Sequence, residues 1–217
     1  MKRRSLPVAA AFAATAALLL TACGSGDDKS SDNDKIAGAD TGDSTESASP
    51  SASTDSGQRP KVTLPSDVTN VFDSWKTGDT TKDAVLADVS GRINATDAAI
   101  ASGDSESSAI PFYYKGDALL GAADWIASFK KEGLTINGKT RYFEPTITMF
   151  DKTSASVRYC SDESKAYNKN RKTGKIDKTP ATDNSYVLYN TRVDKNKQGV
   201  WQTTQLVSKR GVEPCTP

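Results

Sequence analysis

The chain has 217 residues, 36% hydrophobic and 25% charged, with 28 Lys+Arg against 27 Asp+Glu, no histidine and three cysteines. That length suits one ordinary domain with flanking segments. The lack of histidine excludes Ser-His-Asp and Cys-His catalysis, His-containing zinc sites and histidine pH sensing, and a net charge near zero gives no basis for attraction of the whole molecule to nucleic acid.

The balanced total averages three unlike regions. Residues 2–22 carry Lys2, Arg3 and Arg4 and no acid, residues 24–58 carry eight acids against Lys29 and Lys35, and residues 59–217 hold 23 bases and 19 acids. The first region has the build of an export signal. Its charged start is followed by an apolar run from Val8 to Leu20, too short for the ~20 residues of a permanent membrane span. Leu20-Thr21-Ala22-Cys23 comes next and resembles the bacterial lipobox, in which a small residue precedes a cysteine that receives a diacylglyceryl group. The resemblance implies a signal peptide over 1–22, with Cys23 as the lipidated first mature residue. Fatty chains on that cysteine would anchor the protein to the outer face of the cell membrane. Arg3 and Arg4 leave two export routes open, the general secretory and the twin-arginine pathway.

Residues 23–61 read as a disordered Ser/Asp-rich tether. Between residues 24 and 58 there are nine serines, eight acids, no aromatic residue and one large aliphatic, Ile36. Such a composition cannot bury enough apolar area to offset chain entropy. As a flexible coil it would hold the following domain on the order of 30 Å from the membrane. Asp27, Asp28, Asp32 and Asp34 cluster there, but they lack the glycine and distal glutamate of a calcium loop.

The domain itself spans 62–217. Ser66 stands as a candidate N-cap before Val68, Val71, Phe72 and Trp75 at helical spacing, which predicts a short first helix. A second helix is predicted from Thr81 to Ala101, with Val85, Val89, Ile93 and Ile100 near one stripe, and a third from Asp117 to Lys131. Beyond residue 139 the period changes toward 2. Strands are predicted over Arg141–Phe150, with Phe143, Ile147 and Met149 on one face and Tyr142 on the other, and over Ser154–Cys160. Tyr186–Val193 and Val200–Val207 read as a hairpin. Helices first and strands afterwards give an α+β domain in which N-terminal helices pack on a curved antiparallel sheet.

The order of these elements, the Tyr159-Cys160-Ser161-Asp162-Glu163-Ser164-Lys165 run and the final Gly199-Val200-Trp201-Gln202-Thr203-Thr204 strand resemble uncharacterised secreted lipoproteins of actinobacteria, across roughly residues 62–215. Their domain is similar to the NTF2-like cone. The resemblance implies an architecture and a location, and no activity, because that fold hosts enzymes and binding modules alike.

Once Cys23 is lipidated, Cys160 and Cys215 form an even pair in an exported domain, which reads as a disulfide. If the cone is hollow, Trp125, Tyr142, Tyr159, Tyr189 and Trp201 are candidates to line its pocket, where rings with polar edges would suit a small amphipathic ligand; the same rings can equally be plain core. Glu144 and Asp151 are the carboxylates considered as a base, but no catalytic signature surrounds them, so the expectation is a non-enzymatic module without a cofactor or metal. Lys165, Lys169, Arg171, Lys172, Lys175 and Lys178 crowd against the single acid Asp177. That run is either a solvated hairpin extension or a patch for an anionic wall polymer, a headgroup or an acidic envelope protein. No nucleic-acid reader motif is present.

Overall fold

The computed structural model of the chain describes residues 58–217, so the signal segment, Cys23 and the tether as far as residue 57 lie outside the described residues. The first element is a strand, β1 (Val68–Phe72), where a helix was expected. Its spacing satisfied a helical template, but Val68, Thr69 and Val71 are β-branched residues that fit a pleated surface, and the partner decides. Gly138 donates its N–H to the Asp67 carbonyl, and β1 then runs parallel to residues 138–142. Alternation turns Val68, Asn70 and Phe72 to one side.

Helix α1 (Thr80–Ser102) starts where the Asp79 carboxylate accepts the N–H groups of Thr81 and Lys82, both at 2.9 Å, and stops at Gly103 with φ of 76°. A short helix α2 (Ala109–Tyr113) was not anticipated; its Tyr113 lies where a side chain at Gly91 would stand, with Oη 2.6 Å from the position of a Cβ, so α2 can approach α1 only at a glycine. Helix α3 (Asp117–Lys131) has the predicted bounds.

Five further strands follow: β2 (Leu134–Met149), β3 (Ser154–Asn170), the two-residue β4 (Ile176–Asp177), β5 (Tyr186–Lys195) and β6 (Trp201–Arg210). The sheet order is β1-β2-β3-β5-β6, with β4 on the far end of β3. All pairs are antiparallel except β1–β2, so the sheet is mixed rather than purely antiparallel. β2 and β3 extend well beyond their predicted ends. The pairing of β2 with β3 slips twice, between Lys139 and Arg141 and between Phe143 and Thr146. At Gly138, φ is 104° and a Cβ would collide with the Lys165 carbonyl, so only glycine fits. At Glu144, φ is 52° and the register slips, which exchanges the faces: Tyr142 before the bulge and Ile147 and Met149 after it point to the core. Phe143 faces away, under the guanidinium of Arg141 at 4.2 Å. A strict period of 2 had grouped Phe143 with Ile147 and Met149 on one face and set Tyr142 on the other.

Two apolar clusters meet along α1. Its first half joins Trp75, Tyr142, Val157, Tyr159, Val193 and Trp201 through Val85, Leu86, Val89 and Ile93. Its second half joins Ile110, Tyr113, Tyr114, Ala122, Ile126 and Val200 through Ala95, Ala99 and Ile100. Helices against one face of a curved sheet make the α+β architecture expected from the sequence.

Two links fasten the ends. Cys160 and Cys215 form the disulfide, with Cα atoms 5.4 Å apart, and Cys160, on the opposite side of β3 from Tyr159, is buried with its partner at 2% exposure. Arg59 grips the wholly buried Asp88 with Nε at 2.6 Å and Nη2 at 2.9 Å, while the N–H of Trp201 donates to the same carboxylate at 2.9 Å. Replacing both Cys160 and Cys215 by Ala releases a crosslink between residues 55 apart and is expected to lower unfolding stability by ~4 kcal/mol in urea titration; an unchanged midpoint in oxidising buffer would contradict the bridge. Arg59→Ala leaves a buried carboxylate short of its cation and should cost about 2 kcal/mol in the same measurement.

Candidate functional site

Between α1, α3 and the concave side of the sheet lies a cavity of about 1080 Å³. Arg92, from the middle of α1, forms part of its wall. The residue is 4% exposed; Nη1 donates to the Tyr114 hydroxyl at 2.9 Å and Nη2 to the Tyr159 hydroxyl at 2.5 Å, and the guanidinium sits 5.4 Å from the Tyr114 ring centre. Its Nε is buried without a partner, and no ion pair involves it among the described residues.

The phenols form a connected wall. Tyr159 stacks on Tyr189 with centroids 5.0 Å apart and planes 11° apart, and Tyr142 meets Tyr159 edge-on at 6.1 Å. Burial raises all three hydroxyls above the usual phenol range, Tyr159 to about 12, so each keeps its proton and can donate. Thr96 hydrogen-bonds the Tyr114 hydroxyl at 2.9 Å and fixes the second phenol beside Arg92.

Two carboxylates complete the interior. Glu163 accepts from Tyr189 at 3.2 Å and Ser161 at 3.1 Å and pairs with Arg210 at 2.8 Å. Asp97, on α1, accepts one hydrogen bond from Asn70 Nδ2 at 2.7 Å, and the same amide reaches Asn94 Oδ1 at 3.0 Å. Burial, helped by the charge of Glu163, pushes the Asp97 carboxyl up to about 6 against the opposing pull of Asn70 and Arg92. At the mouth, Trp125 meets Phe129 edge-on at 5.0 Å and is 53% exposed, and Val207 across from α3 on β6 is 66% exposed. The interior is thus polar on the α1 side and aromatic across the sheet, with an apolar rim.

Of the predicted lining, Trp125, Tyr142, Tyr159 and Tyr189 do face this cavity and Trp201 does not. Trp201 starts β6 and is buried in the first apolar cluster against α1; the register slip opposite Arg192 and Val193 separates it from the stretch of β6 that reaches the cavity. Glu144 and Asp151 are also elsewhere. Glu144 is exposed in the β2 bulge, and Asp151 is an exposed turn residue whose carboxylate accepts from Thr153 at 2.6 Å.

The basic run does not form one surface. Lys169 Nζ pairs with Asp67 at 2.8 Å, and Arg171 donates to the carbonyls of Ala101, at 3.0 Å, and Ile100, capping the C-terminus of α1. Lys165, Lys172, Lys175 and Lys178 are exposed on β3 and the segments around β4. Arg92, Asp97, Glu163, Tyr114 and Asn70 were missed at the sequence level. The signal was present for the first: Arg92 and Thr96 fall inside the helical stripe of Val85, Val89, Ile93 and Ile100, and charge on a core-facing stripe marks a functional or paired group.

No family model and no curated protein matches the chain. Among solved structures it is similar to the intermembrane space region of the chloroplast protein ARC6, with 16% identity, 57% of this chain and 92% of that one covered, and a TM-score of 0.42. It is also similar to a ketosteroid isomerase-like protein from Erwinia carotovora atroseptica (18% identity, 58% and 93% covered, TM-score 0.39) and to Aln2 from a Streptomyces species (12% identity, 62% and 94% covered, TM-score 0.42). Likenesses this remote transfer no ligand and no reaction.

The elevated Asp97 carboxyl has a consequence for stability. A carboxyl whose folded pKa lies above its ordinary 3.8 favours folding when protonated, so its contribution is complete below about pH 4 and is lost as pH rises through about 6. Asp97→Asn is therefore expected to stabilise the chain by on the order of 1 kcal/mol at about pH 7.5, after allowance for solvent in the cavity, and to change nothing near pH 4. Urea midpoints measured across that range check it, and a pH-independent difference between variant and wild type would refute it.

Proposed function

We propose that the chain is an extracytoplasmic lipoprotein of the bacterial envelope, held to the membrane through Cys23, whose domain binds a small amphipathic molecule in the cavity without turning it over. The observation that carries the reading is the cavity itself, with a volume at the upper limit of small-molecule sites, aromatic walls and a few convergent polar groups. The lipobox over Leu20–Cys23 supports the location, and the acidic tether supports a domain free to reach away from the membrane. The chain is also proposed to be of the NTF2-like cone kind, in line with the element order of its sequence.

The exposed Lys165, Lys172, Lys175 and Lys178 give the same module a basic edge toward an anionic wall polymer or an acidic envelope protein. One observation favours a second reading, an enzyme working in the same cavity: Asp97 is a cavity-lining carboxyl that burial raises to about 6, the condition of a proton-transfer group. Asp97→Asn separates the two, since a binding module keeps its ligand and an enzyme loses turnover.

Two measurements test the proposal. The full chain extracted from membranes of its own bacterium should release a small molecule near one-to-one on denaturation, read by mass spectrometry, and Ala122→Trp, which fills the space beside α3, should release less than a tenth as much; equal yields from both would count against the cavity as the site. Cys23→Ser should leave an unprocessed or released protein in cell fractionation. Continued membrane retention of a mature-size product would contradict the anchor.

A further inference from the structure

A guanidinium presents five N–H donors in one plane and stays charged at any physiological pH. Arg92 uses two on the hydroxyls of Tyr114 and Tyr159, its Nε–H has none, and no carboxylate lies within ion-pair distance among the described residues, although the residue is only 4% exposed. A buried charge in this state is costly unless an acceptor arrives. Asp88, four residues earlier on α1 and equally buried, shows the contrast: it is matched by Arg59 and the Trp201 N–H. Arg92 borders the cavity and Asp88 does not.

Resting on the binding function proposed above, we infer that the ligand of this cavity is an amphipathic carboxylic acid, its carboxylate on Arg92 and its apolar body along Tyr142, Trp125 and Phe129. The Tyr159 oxygen accepts from Arg92, which leaves its own proton to donate to the same anion, so the head meets a cation and a hydroxyl together. The apolar rim of Trp125 and Val207 suits the opposite end of such a molecule.

Two interior carboxylates oppose an incoming anion, and the structure deals with each. Glu163 is neutralised by Arg210 at 2.8 Å. Asp97 has no cation at ion-pair distance among the described residues, but it can accept a proton. The groups facing it are Arg92 on α1, Asn70 on β1, Tyr142 on β2, and Tyr159 and Glu163 on β3, while Tyr189 on β5 and Arg210 on β6 act on it through Glu163. A second anion in the cavity raises the proton affinity of Asp97 further. Acid binding is therefore coupled to proton uptake, and affinity rises as pH falls.

The test is isothermal titration calorimetry of the full chain in non-ionic detergent, with a micelle blank, using 2-naphthaleneacetate, its neutral amide and 2-(2-naphthyl)ethylamine. The acid is expected to bind at least tenfold more tightly than the amide or the amine, and its affinity to rise about threefold or more from about pH 7.5 to about pH 5.5. Arg92→Met should bring acid and amide to parity, and Asp97→Asn should flatten the pH dependence. Should Arg92→Met fail to fold, the ranking of the three probes on the wild-type chain still decides. Equal affinities, or an amine that binds most tightly, overturn the acid while leaving the cavity as a binding site. If none of the probes binds, both this inference and the binding function fall.

Discussion

A positive charge that cannot leave the interior organises the domain. Arg92 sits on α1 where its two apolar clusters meet, and its hydrogen bonds run outward in both directions. Tyr114 ties it to Thr96 and the segment after α2, and Tyr159 ties it to the centre of the sheet. From Tyr159 the contacts continue through the stacked Tyr189 to Glu163 and then to Arg210 near the end of β6. Moving α3 inward would strip the remaining solvent from that charge, a step that desolvation opposes.

The first half of α1 solves the same problem differently. Asp88 is as deeply buried as Arg92, but three donors converge on it, and two of them come from Arg59 at the start of the described chain. There the carboxylate has its donors, and Trp201, Leu86 and Val85 belong to the apolar cluster on that half of the helix. A satisfied charge stands on one turn of the helix, and an unsatisfied charge beside a cavity stands on the next. That difference separates scaffold from site within a single 23-residue helix.

Much of this was legible in the sequence. The bounds of α1 and α3 followed from their apolar stripes, the β5–β6 hairpin from alternation around a turn, and the disulfide from cysteine arithmetic in a chain read as exported. Four of the five aromatic residues proposed for the pocket line it. The failures have local causes. β1 misled because five residues are too few to separate the two periods, and its strand state depends on pairing with β2, far away in sequence. Phe143 and Tyr142 exchanged faces because a single left-handed residue at Glu144 resets the count. Lys169 and Arg171 looked like free charge until the fold brought Asp67 and the end of α1 to them. Arg92 and Asp97 were visible as letters, but their meaning depends on a cavity that no stretch of sequence displays.

The claim that matters most is that this cavity exists for an occupant whose acceptor oxygens answer Arg92. A crystal structure of the full chain purified from the cells that make it, without added ligand, tests it most directly. The account predicts ordered density for a bound molecule with an oxygen within hydrogen-bond distance of the Arg92 guanidinium. A closed cone, with α3 collapsed onto the sheet and Arg92 paired to Asp97 or Glu163, would contradict it.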